Sequence, residues 1–312
     1  MAKAHQIEGI DCQGPAGAGI QLVLLERFDE LLEYRREALN FDNSEGVHSM
    51  RVASRRLRSA LRDFSPYIKK RGLAPTLKKI KTVADALGEV RDQDVALEAL
   101  QELAPKTSPS VAKVIEHTIE QRKEERDKAR KDLKEIVSKN ELDQLKVEFR
   151  AVVVSTTNAG PGERSANQSY IKVAGDIIQD RLTDFEKLSD SLFKPFDVKE
   201  LHELRIASKR LRYAIELFDQ CWAHSTLAIA KRISRLQTSL GNIHDCDVWI
   251  ESFGKTLIDS KKQPEPAEME AIAWLLSHFM KIRIGYFREA FAQWTDWEAE
   301  EISEKLRHAV KN

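Results

Sequence analysis

The sequence predicts an all-α chain made of two tandem four-helix bundles that arose by internal duplication. Three observations carry this. First, apolar residues recur with the helical period over long windows, and no stretch shows the two-residue alternation of a half-buried strand. Second, "VHSMRVASRRLRSALRDF" (47–64) returns as "LHELRIASKRLRYAIELF" (201–218), displaced by 154 residues, and "LKKIKTVADALGEVRDQDV" (77–95) returns as "AKRISRLQTSLGNIHDCDV" (230–248), displaced by 153. Chance similarity between basic helices would not keep Gly88 and Gly241, Asp92 and Asp245, and Asp94 and Asp247 in step. Third, "STTNAGPGERSANQS" (155–169) is rich in Gly, Ser, Thr and Asn without an apolar period, which reads as a linker. The expected organisation is a first helical repeat over 18–154, a linker over 155–168, and a second repeat with a C-terminal helix over 169–312.

The elements follow in order. Prolines at 66, 75, 105, 109, 161, 195, 264 and 266 punctuate the chain. Between them the windows predict helices over about 18–40, 44–64, 74–103 and 109–139. In the second half they fall near 166–192, 198–222, 225–258 and 267–293, with a tail helix around 294–310. Asn43 and Asp197 stand at equivalent places before the basic helices and are expected N-caps. Glu200, three residues after Asp197, predicts a capping box.

Placed on a helix, residues 47–64 separate into two faces. Met50, Ala53, Leu57, Ala60, Leu61 and Phe64 make an apolar face. His48, Arg51, Arg55, Arg58 and Arg62 make a stripe about 80° wide and about 21 Å long at 1.5 Å per residue, with Arg56 on a flank. The second copy repeats this. Leu204, Ala207, Leu211, Ala214, Ile215 and Phe218 face the core, His202, Arg205, Lys209 and Arg212 form the stripe, and Arg210 takes the flank. Glu216 stands where the first copy has Arg62, so the second stripe is shorter.

Arginines stacked at i, i+4, i+7 and i+11 repel one another unless something acidic meets them. On its own helix the first stripe has no such partner. A solvated helix face would interleave glutamates, and the recurrence of a histidine-led stripe argues against that bland alternative. The length suits an extended polyanion better than a small anion. Further cations join at the starts of the following helices: Lys78, Lys79 and Lys81 in the first half, and Lys231, Arg232 and Arg235 in the second. Lys69, Lys70 and Arg71 lie in the connection between. Helix N-termini favour phosphate through their unpaired N–H groups and the macrodipole. The fourth helices add Arg122 and Arg126, and in the second half Arg283. In the first half these are mixed with Glu120, Glu124, Glu125 and Asp127, which reads equally as a salt-bridged face. The formal net charge of the 312 residues is +0, so this basic character is segregated, with acids gathered elsewhere as in "DWEAEEISE" (296–304).

Other chemistries find little support. His48 and His202 have no His, Asp, Glu or Cys at i+4 and basic residues at i+3 and i+7, which opposes a metal ion. Asp92, Asp94, Asp245 and Asp247 are read as structural, either capping or holding basic residues. His244 is discounted because Arg91 occupies the matching place. There is no G-x-x-x-x-G-K-[ST], G-x-S-x-G or H-E-x-x-H motif, and the E-x-E-x-K signature of triphosphate-tunnel phosphatases is missing. The five tryptophans are expected in packing roles and do not interleave with the stripes. Cys12, Cys221 and Cys246 are odd in number and widely spaced, which speaks against a disulfide framework and suits a reducing compartment. No signal segment or apolar run of about 18 residues is present, so a cytoplasmic protein without a membrane association is expected.

"VHSMRVASRRLRSAL" and "LHELRIASKRLRYAI" resemble the two signature helices of the CHAD family, the conserved-histidine α-helical domains, over both halves and in the expected order. The resemblance implies two four-helix bundles related by a pseudo-twofold axis, with a basic groove that binds inorganic polyphosphate and extends to other polyanions. It implies ligand contacts at His48, Arg51, Arg55, Arg56 and Arg58, and at His202, Arg205, Lys209, Arg210 and Arg212, joined by the segments Lys78–Lys81 and Lys231–Arg235. Many members are fused to a CYTH triphosphatase domain; none is expected here, so a non-catalytic binding or targeting module without cofactor or metal is the leading expectation, with polyphosphate granules as a further location. Metal binding or phosphotransfer through His48 and His202, and nonspecific nucleic-acid binding, stay open as alternatives.

Overall fold

A computed structural model describes residues 5–68, 72–158, 168–258 and 265–311. Among these residues the chain is helical with no strand, the single β-bridge joining Pro15 to Ser169. Lys69, Lys70, Arg71 and most of the expected linker lie outside the described residues. The helices are α1 (Ala16–Glu33), α2 (Arg35–Ala38), α3 (Ser44–Phe64), α4 (Leu73–Leu103), α5 (Pro109–Ile136), α6 (Lys139–Asn158), α7 (Tyr170–Leu188), α8 (Val198–Phe218), α9 (Leu227–Ile258), α10 (Pro266–Ala299) and α11 (Ile302–Ala309). They form two compact units: one contains residues 1–103 and 117–173, the other 104–116 and 174–312.

Both expected caps form. The Asn43 carboxamide oxygen accepts from the Glu45 backbone N–H at 2.8 Å, and the Asp197 carboxylate accepts from the Glu200 N–H at 3.0 Å. The reciprocal half of the capping box does not form. Asp197 N–H donates to the Lys194 carbonyl, and the Glu200 carboxylate takes the Lys194 ammonium at 2.9 Å.

In the first unit α3 packs on α1, α2 and α4. Met50, Ala53, Leu57, Ala60 and Phe64 are at most 1% exposed and Leu61 is also buried, so the apolar face is the one the period predicts. Phe28 of α1 stacks on Phe149 of α6 with centroids 4.4 Å apart. Helix α6 is not among the sequence windows, which stop at 139. Its buried Leu142, Leu145, Phe149 and Val153 follow the helical period, but the run Val152–Thr157 has poor helix propensity and hides the pattern. Tertiary packing on α1 and α4 overrides it.

In the second unit α8 packs on α9, and α9 on α10. Leu204, Ala207, Leu211, Ala214, Ile215 and Phe218 are buried as expected. Trp249, Phe253 and Phe279 stack together. The expected stop near 293 is absent: α10 runs on to Ala299 because Trp294 and Trp297 extend its buried face against Phe185. The break falls at Glu301, whose φ of 51° ends the helix before α11. Four tryptophans are buried as anticipated, whereas Trp274 is 40% exposed and stacks on His278. Cys246 is free and buried, but Cys12 and Cys221 are each engaged in a disulfide, which corrects the expectation drawn from cysteine spacing. Spacing along a chain carries no information about which thiols folding brings to a partner.

Candidate functional site

Burying the apolar face of α3 turns its cationic stripe outward. His48, Arg51 and Arg55 are half-buried, and Arg58 and Arg62 are exposed. Between α3 and α4 lies a cavity of about 330 Å³, lined by Arg51, Ser54, Arg55, Arg58, Ala84 and Gly88, with Asp85, Glu89 and Asp92 also on its wall. Gly88 has no side chain, and a Cβ built there would sit 3.9 Å from Arg51 Nε. The guanidinium thus lies across a bare stretch of α4. The same arrangement recurs in the second unit, where a Cβ at Gly241 would sit 3.9 Å from Arg205 Nε. In both repeats the Leu-Gly pair thus sets its glycine within ordinary van der Waals range of an arginine from the preceding helix.

Neighbouring helices supply most of the acidic partners of these cations, and Asp63 of α3 itself supplies one. Arg51 donates to Asp92 of α4 at 3.0 Å. Arg56, on the flank, turns inward and meets Glu30 of α1 at 3.0 Å; Glu30 is fully buried and also holds Arg27 at 2.7 Å. Arg62 donates to Ser59 Oγ at 2.9 Å and lies 3.9 Å from Asp63. The second carboxylate of each Asp-x-Asp pair grips an arginine of the following helix. Asp94 takes Arg130 at 3.4 Å and Arg126 at 4.0 Å. Asp247 takes Arg283 at 2.6 Å, and the Pro195 carbonyl takes the same guanidinium at 2.9 Å. Burial raises the Asp94 carboxyl above the usual range, against the pull of Arg130 and Arg126.

The remaining sequence candidates divide in two. Lys79 is held by Glu148 at 2.7 Å, Lys81 by Asp85 at 2.8 Å, and Arg232 by both oxygens of Glu300 at 2.6 Å. Arg122 meets Gln93 at 3.3 Å and Glu125 at 3.4 Å, so the face of α5 is salt-bridged. Arg212 is buried, bonded to Glu216 at 3.3 Å and set over the Tyr213 ring at 4.8 Å, so the solvent-accessible part of the second stripe ends at the half-buried Lys209. By contrast Arg58, Lys78, Lys231 and Arg235 are exposed, and among the described residues they show no ion pair. Arg210 is half-buried, and its Nε has no hydrogen-bond partner there.

The histidines are the least anticipated feature. His202 Nδ1 stands 3.2 Å from Nδ1 of His244, with the two rings tilted 47°. Position rather than identity would have found His244. It lies three residues past Gly241, as Arg91 lies three past Gly88, and the Arg91 charge acts on His48 just as His244 meets His202. All three rings are held below the usual histidine range. For His48 burial acts first, then Arg91 and Arg55, with Glu45 opposing; for His202 burial comes first, then Arg205 and Lys209. His244 is pushed down to about 4 by burial, Arg205, His202 and Lys209. Each of these shifts favours the neutral ring. Among the described residues no three His, Cys, Asp or Glu side chains gather into a metal-binding group.

The comparisons agree with this geometry. The CHAD domain family model matches residues 22–253. The crystal structure of the CHAD domain from the plant Ricinus communis superposes with a TM-score of 0.67 at 20% identity, covering 98% of this chain and 95% of that one. PptA from Streptomyces chartreusis gives a TM-score of 0.65 at 15% identity, covering 89% of this chain and all of that one. No curated protein matches. With the family model spanning both basic helices and both Asp-x-Asp segments, the chain belongs to the CHAD family.

Proposed function

We propose that the protein binds inorganic polyphosphate through the histidine-led basic faces of its two units, as a binding or targeting module that does not turn its ligand over. The CHAD family is linked in general to polyphosphate binding. The observation that carries the reading for this chain is the duplicated arginine lying over a helix glycine, Arg51 over Gly88 and Arg205 over Gly241, each at the head of a row of cations. A histidine-led basic helix that recurs in each unit with this arrangement would offer an extended anion repeated phosphate contacts. Arg58, Lys78, Lys231 and Arg235 supply exposed charge, and Arg55 and Lys209 stand mid-row. Arg56, Arg212 and Arg283 support the fold that presents them.

Each phosphate neutralised releases counterions, so affinity falls steeply with salt, by analogy with nucleic acids at a log–log slope of about −0.7 to −0.9 per contact. The test is a titration of long-chain polyphosphate against the wild type and the double reversal Arg55→Glu with Lys209→Glu. A loss of affinity with a shallower salt slope supports the proposal, and unchanged affinity refutes it. Equal binding of single-stranded DNA in competition would reassign the surface to polyanions generally.

A further inference from the structure

His202 heads α8, and His244 reaches it from α9. Two imidazole nitrogens 3.2 Å apart share one hydrogen: one ring donates Nδ1–H and the other accepts with its lone pair. The tautomers follow. The accepting ring carries its own hydrogen on Nε2, and the donating ring has a bare Nε2. A neutral pair thus presents one donor and one lone pair, and the lone pair repels a phosphate oxygen. One added proton makes both Nε2 atoms donors and leaves the Nδ1 bridge in place.

The surroundings keep the pair neutral until an anion comes. Arg205 and Lys209 of α8 press on both rings, and only Glu203 of α8 opposes them at His202. The other packed elements spend their charges elsewhere. On α10, Arg283 is held by Asp247, and Tyr286 lies near Cys246 and Asp245. In the 189–193 turn, Asp190 acts on Lys194, and in the 219–222 turn Asp219 is taken by His224 and Thr226. An oligophosphate that neutralises Arg205 and Lys209 removes the charges that suppress the proton, and adds negative charge that favours it.

We infer that the His202–His244 pair takes up a proton when the second unit binds an oligophosphate, so that this unit binds more tightly as the pH falls, while the first unit, with the permanent cation Arg91 at the equivalent place, responds less. This rests on the polyphosphate reading. The coupling is worth up to about tenfold in affinity per pH unit for each proton taken up.

The experiment is calorimetric titration with long-chain polyphosphate in buffers of different ionisation enthalpy at pH 6, which reads protons absorbed per bound chain. It compares the wild type with His244→Arg, which copies the first unit, and His244→Gln, with circular dichroism confirming the fold. Lower proton uptake and a flatter pH dependence between pH 8 and pH 6 in both variants support the inference. Uptake and slope equal to wild type overturn it while leaving polyphosphate binding intact. No binding by the wild type at any pH overturns both. Should a variant fail to fold, ring 15N shifts of the wild type titrated with and without tripolyphosphate decide the matter: an upward move of the pair's titration is required, and an unmoved titration overturns the inference.

Discussion

Arg56 and Arg58 sit two residues apart on one basic helix, and the structure gives them opposite tasks. Arg56 is bonded at 3.0 Å to Glu30, whose side chain is fully buried, and its own side chain is 12% exposed. Replacing Arg56 with Met removes one of the two cations on a buried carboxylate. Breaking a buried pair costs about 3–5 kcal/mol. Arg27 stays on Glu30 at 2.7 Å, which lowers the expected loss to about 2–3 kcal/mol, or about 5–10 °C in melting temperature for a unit of this size. Arg58→Met removes an exposed cation that shows no ion pair among the described residues. Its stability change should stay within about 0.5 kcal/mol, but it should lower the salt slope for polyphosphate by about 0.7–0.9, one contact. Urea unfolding followed by circular dichroism, together with polyphosphate titration at several salt concentrations, reads both quantities. The reasoning fails if Arg56→Met leaves the urea midpoint in place and weakens binding as much as Arg58→Met does.

Two further outcomes are expected. A Cβ at Gly46 would lie 2.1 Å from the Glu37 carbonyl oxygen, a backbone atom at the end of α2; Gly46→Ala should therefore destabilise the first unit by several kcal/mol, against a gain of about 1 kcal/mol for the same change at an open helical site, and a urea midpoint equal to wild type would contradict the packing. His244 titrates at about 4 in the folded chain, below the ordinary value of 6.5. The unfolded chain therefore binds its proton first as the pH falls, and native stability is lost from about pH 6.5 down to about pH 4. His244→Gln should unfold with a smaller difference in midpoint between pH 7.5 and pH 4.5 than wild type does, and equal differences would count against the buried, suppressed ring.

Residues close in sequence could be placed from sequence alone. The apolar faces of α3 and α8 follow from the 3.6-residue period, and the caps at Asn43 and Asp197 reach only two or three residues along the chain. The duplication was visible because two blocks recur in order, and with it the pairing of Gly88 with Gly241. Local propensity was also where the reading went astray: the valine and threonine run concealed α6, and the buried Trp294 and Trp297 carried α10 past its expected end.

What only the tertiary structure decided is which cations are spoken for. Arg51 meets Asp92 across 41 residues of chain, Arg56 meets Glu30 across 26, Arg283 meets Asp247 across 36, and His202 meets His244 across 42. A helical projection shows which face a charge occupies but not what the neighbouring helix sets against it. The sequence therefore determined that this chain carries two histidine-led basic helices on an all-α framework. Folding determined that Arg56, Arg212 and Arg283 serve its interior, that Arg58 and Lys78 stand ready for solvent, and that a histidine bridge exists in one unit where the other has an arginine. The physical reason is that Coulomb and hydrogen-bond energies depend on separation in space, and only packing brings distant parts of the chain within 3 or 4 Å.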